Sequence, residues 1–384
     1  MIYLDNSATT PPFPEVVDAV SECLRHGFAN PSSLHDFGLR AERVVKACRE
    51  RVAGILGAEA EEIVFTSGGT EANNQAIRGA ALAGRRTGRR LITSQVEHSS
   101  VLSVFRDLGE QDWDPVFVPV DRQGILDLAR FEEELTPDTA LVSLMHVNNE
   151  MGAVQPVAQV AALLRRYESQ ALLHVDAVQS VDRIPLDLRS IPIDLLSFSG
   201  HKLHAPKGIG VLYIRRGVHC APLILGGNQE NGRRSGTENT PGIAGLHAAL
   251  GVSAERATRP GVYLKALRSV FLDSLEEALP DTEILGPVGD GAAPHIVAVG
   301  VEGAKAEVIL HMLEQDRIYV STGSACSSRA NSQSHVLQAM HVPARIADGT
   351  LRFSFSVLNT EEEIRTAVER LALHVKRVRR LMRR

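Results

Sequence analysis

The strongest constraint on this chain is a rhythm. Short apolar runs recur along its first two thirds, and stretches of helical period separate most of them. EIVFTSGGT (62–70) reads as a strand running into a glycine-rich turn, and TEANNQAIRGAALAGRR, which follows, as a helix. RLITSQ, PVFVPV, ALVSLMHV, LLHVDAV, IDLLSFS and GVLYI read as further buried strands, with helices such as 157–168 between them. A strand that is apolar on both faces needs cover on both faces, and interleaved helices supply it most simply over a largely parallel sheet. The expected class is α/β.

Beyond about residue 255 the rhythm changes. A helix (262–279) leads to HIVAVGV, a helix at 305–315, IYVSTGS, a further helical stretch and LRFSFSV, the pattern of a compact α+β unit. Thr360 stands three residues before Glu363, a capping box for a last helix whose apolar face is Ile364, Val368, Leu371, Val375 and Val378. At ~150 residues per domain, 384 residues allow two or three. The division expected is a large domain over 15–257 and a small C-terminal one over 258–384, joined by the N-terminal segment 1–14.

A net charge of -5 argues against a coat for nucleic acid, so direct nucleic-acid binding is not expected. The start, MIYLDNSATTPPF, lacks a basic stretch before an apolar core, and no uncharged apolar run is long enough for a membrane span. The expected address is the cytoplasm. Cys23, Cys48, Cys220 and Cys326 form no CxxC pair, so neither a metal site nor a disulfide framework is expected from them.

Several segments could carry chemistry. In SFSGHKLHAPKGIG (197–210), Lys202 follows a strand end, where partial desolvation would make its amine a usable nucleophile; taken alone, the segment reads more simply as a turn with a surface lysine. In LLHVDAVQ (172–179), Asp176 closes an apolar strand, where an unpaired carboxylate is expensive, so it should face a cation or cap the next helix. TSGGTEANN (66–74) brings glycines and Thr70 to a strand-to-helix turn, a place for an anion or simply a turn. His98 in VEHSSV suits stacking or proton transfer, Asn149 lies in MHVNNEMG, and Arg352 in LRFSF could fork onto a carboxylate. Cys326 lies in STGSACSSRANSQ (321–333), small polar residues with little to pack, which reads as a mobile loop able to bring a thiol to a substrate.

Taken together, and in order, these motifs resemble the cysteine desulfurases of the NifS/IscS type, within the class-V aminotransferases and the fold-type-I pyridoxal phosphate enzymes. The resemblance runs from YLDNSATTP (3–11) through GNQENGRRSGTENTPG (227–242) to STGSACSS and LRFSF. It implies that Lys202 holds pyridoxal 5'-phosphate covalently and that Asp176 pairs with the ring nitrogen. Gln179 and Asn149 would sit near the ring hydroxyl, with Asn149 also near substrate, and His98 would stack on the ring and move protons. Gly69, Thr70, Ser199 and His201 would bind the phosphate. Thr237 would reach the partner subunit's cofactor in a homodimer with shared sites. Arg352 would clamp the carboxylate of L-cysteine, and Cys326 would take its sulfur as a persulfide, leaving L-alanine.

The resemblance further implies a sulfur-acceptor protein, for iron–sulfur cluster assembly or tRNA thiolation. The alternative is a selenocysteine lyase or another class-V pyridoxal phosphate enzyme; an aminotransferase would not need the loop cysteine. A non-catalytic scaffold with this fold would have no use for so complete a set. KRVRRLMRR (376–384), with six basic residues in nine, reads as a solvated helix end, cations there suiting the helix dipole.

Overall fold

The computed structural model describes residues 1–256, 259–322 and 334–382. Cys326 and the expected division at 257/258 lie outside the described residues.

The chain opens with a two-residue strand, β1 (Ile2–Tyr3). Seven strands then build a central sheet: β2 (Ile63–Thr66), β3 (Arg90–Ser94), β4 (Asp114–Val118), β5 (Thr139–Met145), β6 (Leu172–Asp176), β7 (Leu195–Ser199) and β8 (Gly210–Ile214). Their order across the sheet is β2-β8-β7-β6-β5-β3-β4. All neighbours are parallel except those of β8, which runs against both β2 and β7. The α/β class read from the sequence is the class observed.

The two-residue period of the strands explains the layers. Ile63, Phe65, Val142, Leu144, Leu173 and Val175 point to one face and pack with helices Pro14–His26, Asp36–Leu56, Val157–Arg166 and Thr240–Ala254. Val64, Leu91, Leu141, Leu195 and Leu212 point to the other, against helices Gly69–Ala83 and Ser99–Gly109.

A second sheet follows: β9 (Glu283–Leu285), β10 (Ile296–Gly300), β12 (Ser321–Thr322) and β13 (Thr350–Ser354), antiparallel in the order β12-β13-β10-β9. Its own core includes Phe271, Phe353, Phe355 and the apolar face of helix Glu361–Met382. The expected capping box is present, since the Thr360 hydroxyl accepts from Glu363 N–H and the Glu363 carboxylate accepts from Thr360 N–H, both at 3.2 Å. The N-terminal segment is stitched to this unit. β1 pairs in parallel with β11 (Ile318–Tyr319), Leu4 enters its core, and Asn6 Nδ2 donates to the Ser354 carbonyl at 2.8 Å. No helix among the described residues is long and apolar enough to cross a membrane.

Candidate active site

Parallel strands end on one side of a sheet, and the loops beyond those ends are where such folds collect function. Here β6 ends at Asp176 and β7 at Ser199, and β5 leads into Asn149. β3 leads to His98, and β2 to the turn before Gly69. These ends surround a cavity of about 480 Å³. Gly69, Thr70, His98, Asn149, Asp176, Gln179, Ser199, His201, Lys202 and Arg352 all line it, so the structure gathers in one place residues spread over 284 positions.

Lys202 ends the single 3-10 turn Gly200–Lys202 that follows β7. Its Nζ donates to two carbonyls of the N-terminal segment, Ser7 and, at 2.7 Å, Ala8. From the far side, Arg183, buried, donates to the Lys202 carbonyl. Both ends of the lysine are therefore placed.

Asp176 is 5% exposed, and among the described residues it accepts from two neutral donors, the Asn73 amide at 2.7 Å and Val178 N–H at 3.0 Å. A buried carboxylate held by neutral donors at the wall of a cavity is best satisfied by a cation inside it. A protonated pyridine nitrogen is such a cation, so the residues present fit pyridoxal phosphate. The anion end fits as well. Gly69 opens helix Gly69–Ala83, whose first N–H groups meet the cavity beside Thr70, Ser199 and His201.

His98 precedes helix Ser99–Gly109 and caps it, its Nδ1 accepting from Ser100 N–H at 3.2 Å. Burial pushes its pKa down, the Asp176 charge opposes this, and Lys202 adds to it. His201 is also pushed down, to about 4, by burial first and then by Lys202, Lys207 and Arg183. Both imidazoles are thus poised neutral at pH ~7.

Arg352 sits on β13, 3% exposed, and reaches across from the second sheet. Its Nη1 donates to the Asn149 carbonyl at 2.9 Å, its Nη2 to Asp5 at 2.8 Å, and its Nε is buried without a partner among the described residues. A fork held at one edge and unsatisfied at another can receive a planar anion.

Thr237 does not line the cavity and is exposed. Its segment is pinned by two ion pairs: Glu230 to Arg49, bidentate at 2.7 Å, and Arg234 to Glu71 at 2.9 Å. Of the described cysteines, Cys23 and Cys48 are buried and Cys220 half-buried. Burial raises the Cys48 and Cys220 thiols to about 12, and none of the three lines the cavity.

Sequence reasoning missed Asp5, Ser7, Ala8, Asn73, Ser100 and Ser321, all at the cavity wall. Asn73 had a signal. It lies three residues after Thr70 on the same helix, hence on the same face. Ser7 and Ala8 had none, because they act through backbone oxygens.

The aminotransferase class-V family model matches residues 2–366. The chain belongs to that family. Among class-V relatives, cysteine desulfurase 2 of Trichormus variabilis is 46% identical over 385 residues, covering 99% of this chain and 94% of that protein. The solved structure of a NifS-like protein superposes with a TM-score of 0.90 at 36% identity, over 97% of this chain and 98% of its own. A structure of SspA in complex with cysteine superposes with a TM-score of 0.81 at 32% identity, over 94% and 100%.

Proposed function

We propose that this class-V enzyme is a cysteine desulfurase that takes sulfur from L-cysteine with pyridoxal 5'-phosphate, releases L-alanine and carries the sulfur on Cys326. The observation that carries the reading is the convergence of Lys202, Asp176, His98 and Arg352 on one cavity. Relatives named cysteine desulfurase over almost the whole chain favour this activity over the selenocysteine lyase or other class-V alternatives.

Lys202 would hold the cofactor covalently, Asp176 its ring nitrogen and His98 its face. Gly69, Thr70, Ser199 and His201 would hold its phosphate, with Gln179 and Asn149 near the ring hydroxyl. Bound there, pyridoxal phosphate supplies an electron sink that acidifies the substrate Cα–H.

The chain's own residues supply the rest. Arg352 receives the substrate carboxylate, and its bonds to Asp5 and the Asn149 carbonyl fix the direction of approach. Freed when the substrate amine takes its place, the Lys202 amine takes the Cα proton and holds it within the cage of the Ser7 and Ala8 carbonyls. The Cys326 thiolate bonds to the substrate sulfur as the Cβ–S bond breaks, its electron pair staying on carbon, and a proton returned to carbon gives alanine. The high pKa values of the Cys48 and Cys220 thiols leave these two mostly protonated at neutral pH, which supports Cys326 as the nucleophile.

Thr237 would complete the cofactor site of a second subunit, since it is exposed and pinned away from its own cavity. Exposed Leu223, Ile224 and Leu225, in the same segment, support a homodimer interface there. The sulfur would pass to an acceptor protein for iron–sulfur cluster assembly or tRNA thiolation.

Incubation with cysteine, followed by mass spectrometry of the Cys326 peptide, tests the reading. A gain of one sulfur atom with equimolar alanine is expected, and Cys326→Ser should abolish both. Alanine and sulfide formed by Cys326→Ser at the wild-type rate would remove the assigned nucleophile.

A further inference from the structure

A continuous hydrogen-bonded path links the buried carboxylate of the cavity to its imidazole. Asn73, 1% exposed, donates from its single amide nitrogen twice, to Asp176 Oδ2 at 2.7 Å and to Ser100 Oγ at 2.9 Å. Ser100 Oγ lies 2.8 Å from His98 Nδ1. The amide cannot be turned over, because its oxygen would then face the Asp176 carboxylate, acceptor against acceptor. The Asn73 oxygen is instead buried with no partner among the described residues, which shows that its nitrogen's partners dictate the orientation.

The direction of each proton follows. Both amide hydrogens of Asn73 are used, so Ser100 Oγ accepts one of them and keeps its own hydrogen to give. The Ser100 backbone N–H also points at Nδ1, at 3.2 Å, and an N–H can only donate. Nδ1 therefore carries its lone pair toward the helix, and the proton of the neutral ring goes to Nε2, the nitrogen left for the cavity.

We propose that Asn73 and Ser100 are positioning residues, a bridge from Asp176 that fixes neutral His98 with its proton on Nε2. His98 then meets the cavity as an N–H donor and proton source, and proton abstraction is left to Lys202. The consequence for catalysis rests on the reading of the cavity given above; the fixed tautomer does not. Among the described residues, the titratable groups that act on His98 are Asp176 from the end of β6, Lys202 from the turn after β7, and His335 from helix His335–Ala339.

The test uses cofactor-free full-length protein, labelled with ¹⁵N and read by long-range proton–nitrogen NMR of the His98 ring. The signal is identified by its loss in His98→Gln. Wild type should show the proton on Nε2. Ser100→Ala keeps the backbone N–H on Nδ1, and with it the tautomer, but should raise the His98 pKa by about half a pH unit, because the hydroxyl that favours the neutral ring is gone. Asn73→Leu should act in the same direction, and Ser100→Thr, which keeps the hydroxyl, should restore the wild-type pKa. A wild-type ring protonated on Nδ1, or an unchanged His98 pKa in Ser100→Ala, overturns the proposal. Desulfurase activity is measured separately on the loaded protein. A failure of that activity with the tautomer as expected would strike the functional reading and leave the bridge standing.

Discussion

Asp5 and Arg352, 347 positions apart, meet at 2.8 Å on the cavity wall, and the contact ties the N-terminal segment to the second sheet. Arg352 spends its other terminal nitrogen on the Asn149 carbonyl, so the guanidinium plane is set from two segments far from it in the chain. Lysine would offer one point charge in place of this fork. Arg352→Lys is therefore expected to raise KM for cysteine, with kcat/KM falling about 100-fold and a smaller change in kcat. Initial rates of alanine formation across cysteine concentrations measure the split. A KM equal to wild type would show that Arg352 does not bind the substrate carboxylate.

Gly210 packs directly under the turn that leads into Gly69, although its own backbone conformation is ordinary. A Cβ there would stand 2.5 Å from Gly68 Cα and 2.6 Å from its carbonyl carbon. Backbone cannot yield as a side chain can, so Gly210→Ala must displace the turn that leads into Gly69. Titration of the cofactor-free protein with pyridoxal phosphate, followed by visible absorbance, should show affinity lowered about 10-fold or more, which is ~1.4 kcal/mol. Gly54→Ala, whose added carbon would meet nothing within 4 Å, is the control and should leave the affinity unchanged.

How much of this was legible beforehand depends on what carried the signal. The central strands were readable because both faces are buried, which forces runs such as Leu141–Met145 to be almost wholly apolar. The reversed direction of β8 was not, since GVLYI reads the same either way along a ladder. Lys202, Asp176 and His98 could be picked out as chemistry-bearing side chains at strand ends. Ser7 and Ala8 could not, because a carbonyl that cages an amine leaves no mark on residue type. Arg352 was visible as a fork without its hinge. Asp5 orients it from the far end of the chain, and only the fold brings the two together.

Glu97 makes stability depend on pH in a direction unusual for a carboxylate. It is fully buried, accepts from Ser94 at 2.6 Å and has its other oxygen without a partner among the described residues. Burial raises its pKa from 4.5 to about 8, the hydrogen bonds from Ser94 and Met145 N–H oppose this, and the Asp176 charge adds to it. The folded state thus holds a proton that the unfolded chain releases. The stabilisation is complete below about 4.5 and is lost as pH rises through about 8. Glu97→Gln keeps the shape without the titration. Urea unfolding across that window should show wild type losing on the order of a few kcal/mol relative to Glu97→Gln. Parallel pH profiles for the two proteins would show that Glu97 ionises normally.

The Arg49–Glu230 pair carries the last prediction, because it anchors the segment on which Thr237 is presented. Glu230 is buried, and besides both guanidinium nitrogens it accepts from Phe65 N–H at 3.0 Å, while Arg49 also lies over the Phe65 ring at 4.7 Å. Removing one partner strands the other charge away from water, which costs far more than the pair itself contributes. Arg49→Met should therefore lower stability by about 3–5 kcal/mol. Arg49→Met with Glu230→Met, which removes both charges, should recover most of that loss. Urea midpoints of the single and double variants at one fixed protein concentration give the comparison, since a dimer would make midpoints concentration-dependent. The double variant also separates packing from placement. If it is stable yet binds cofactor as poorly as Thr237→Ala, the ion pair serves to aim the segment at a second subunit; wild-type cofactor binding would confine the pair to stability.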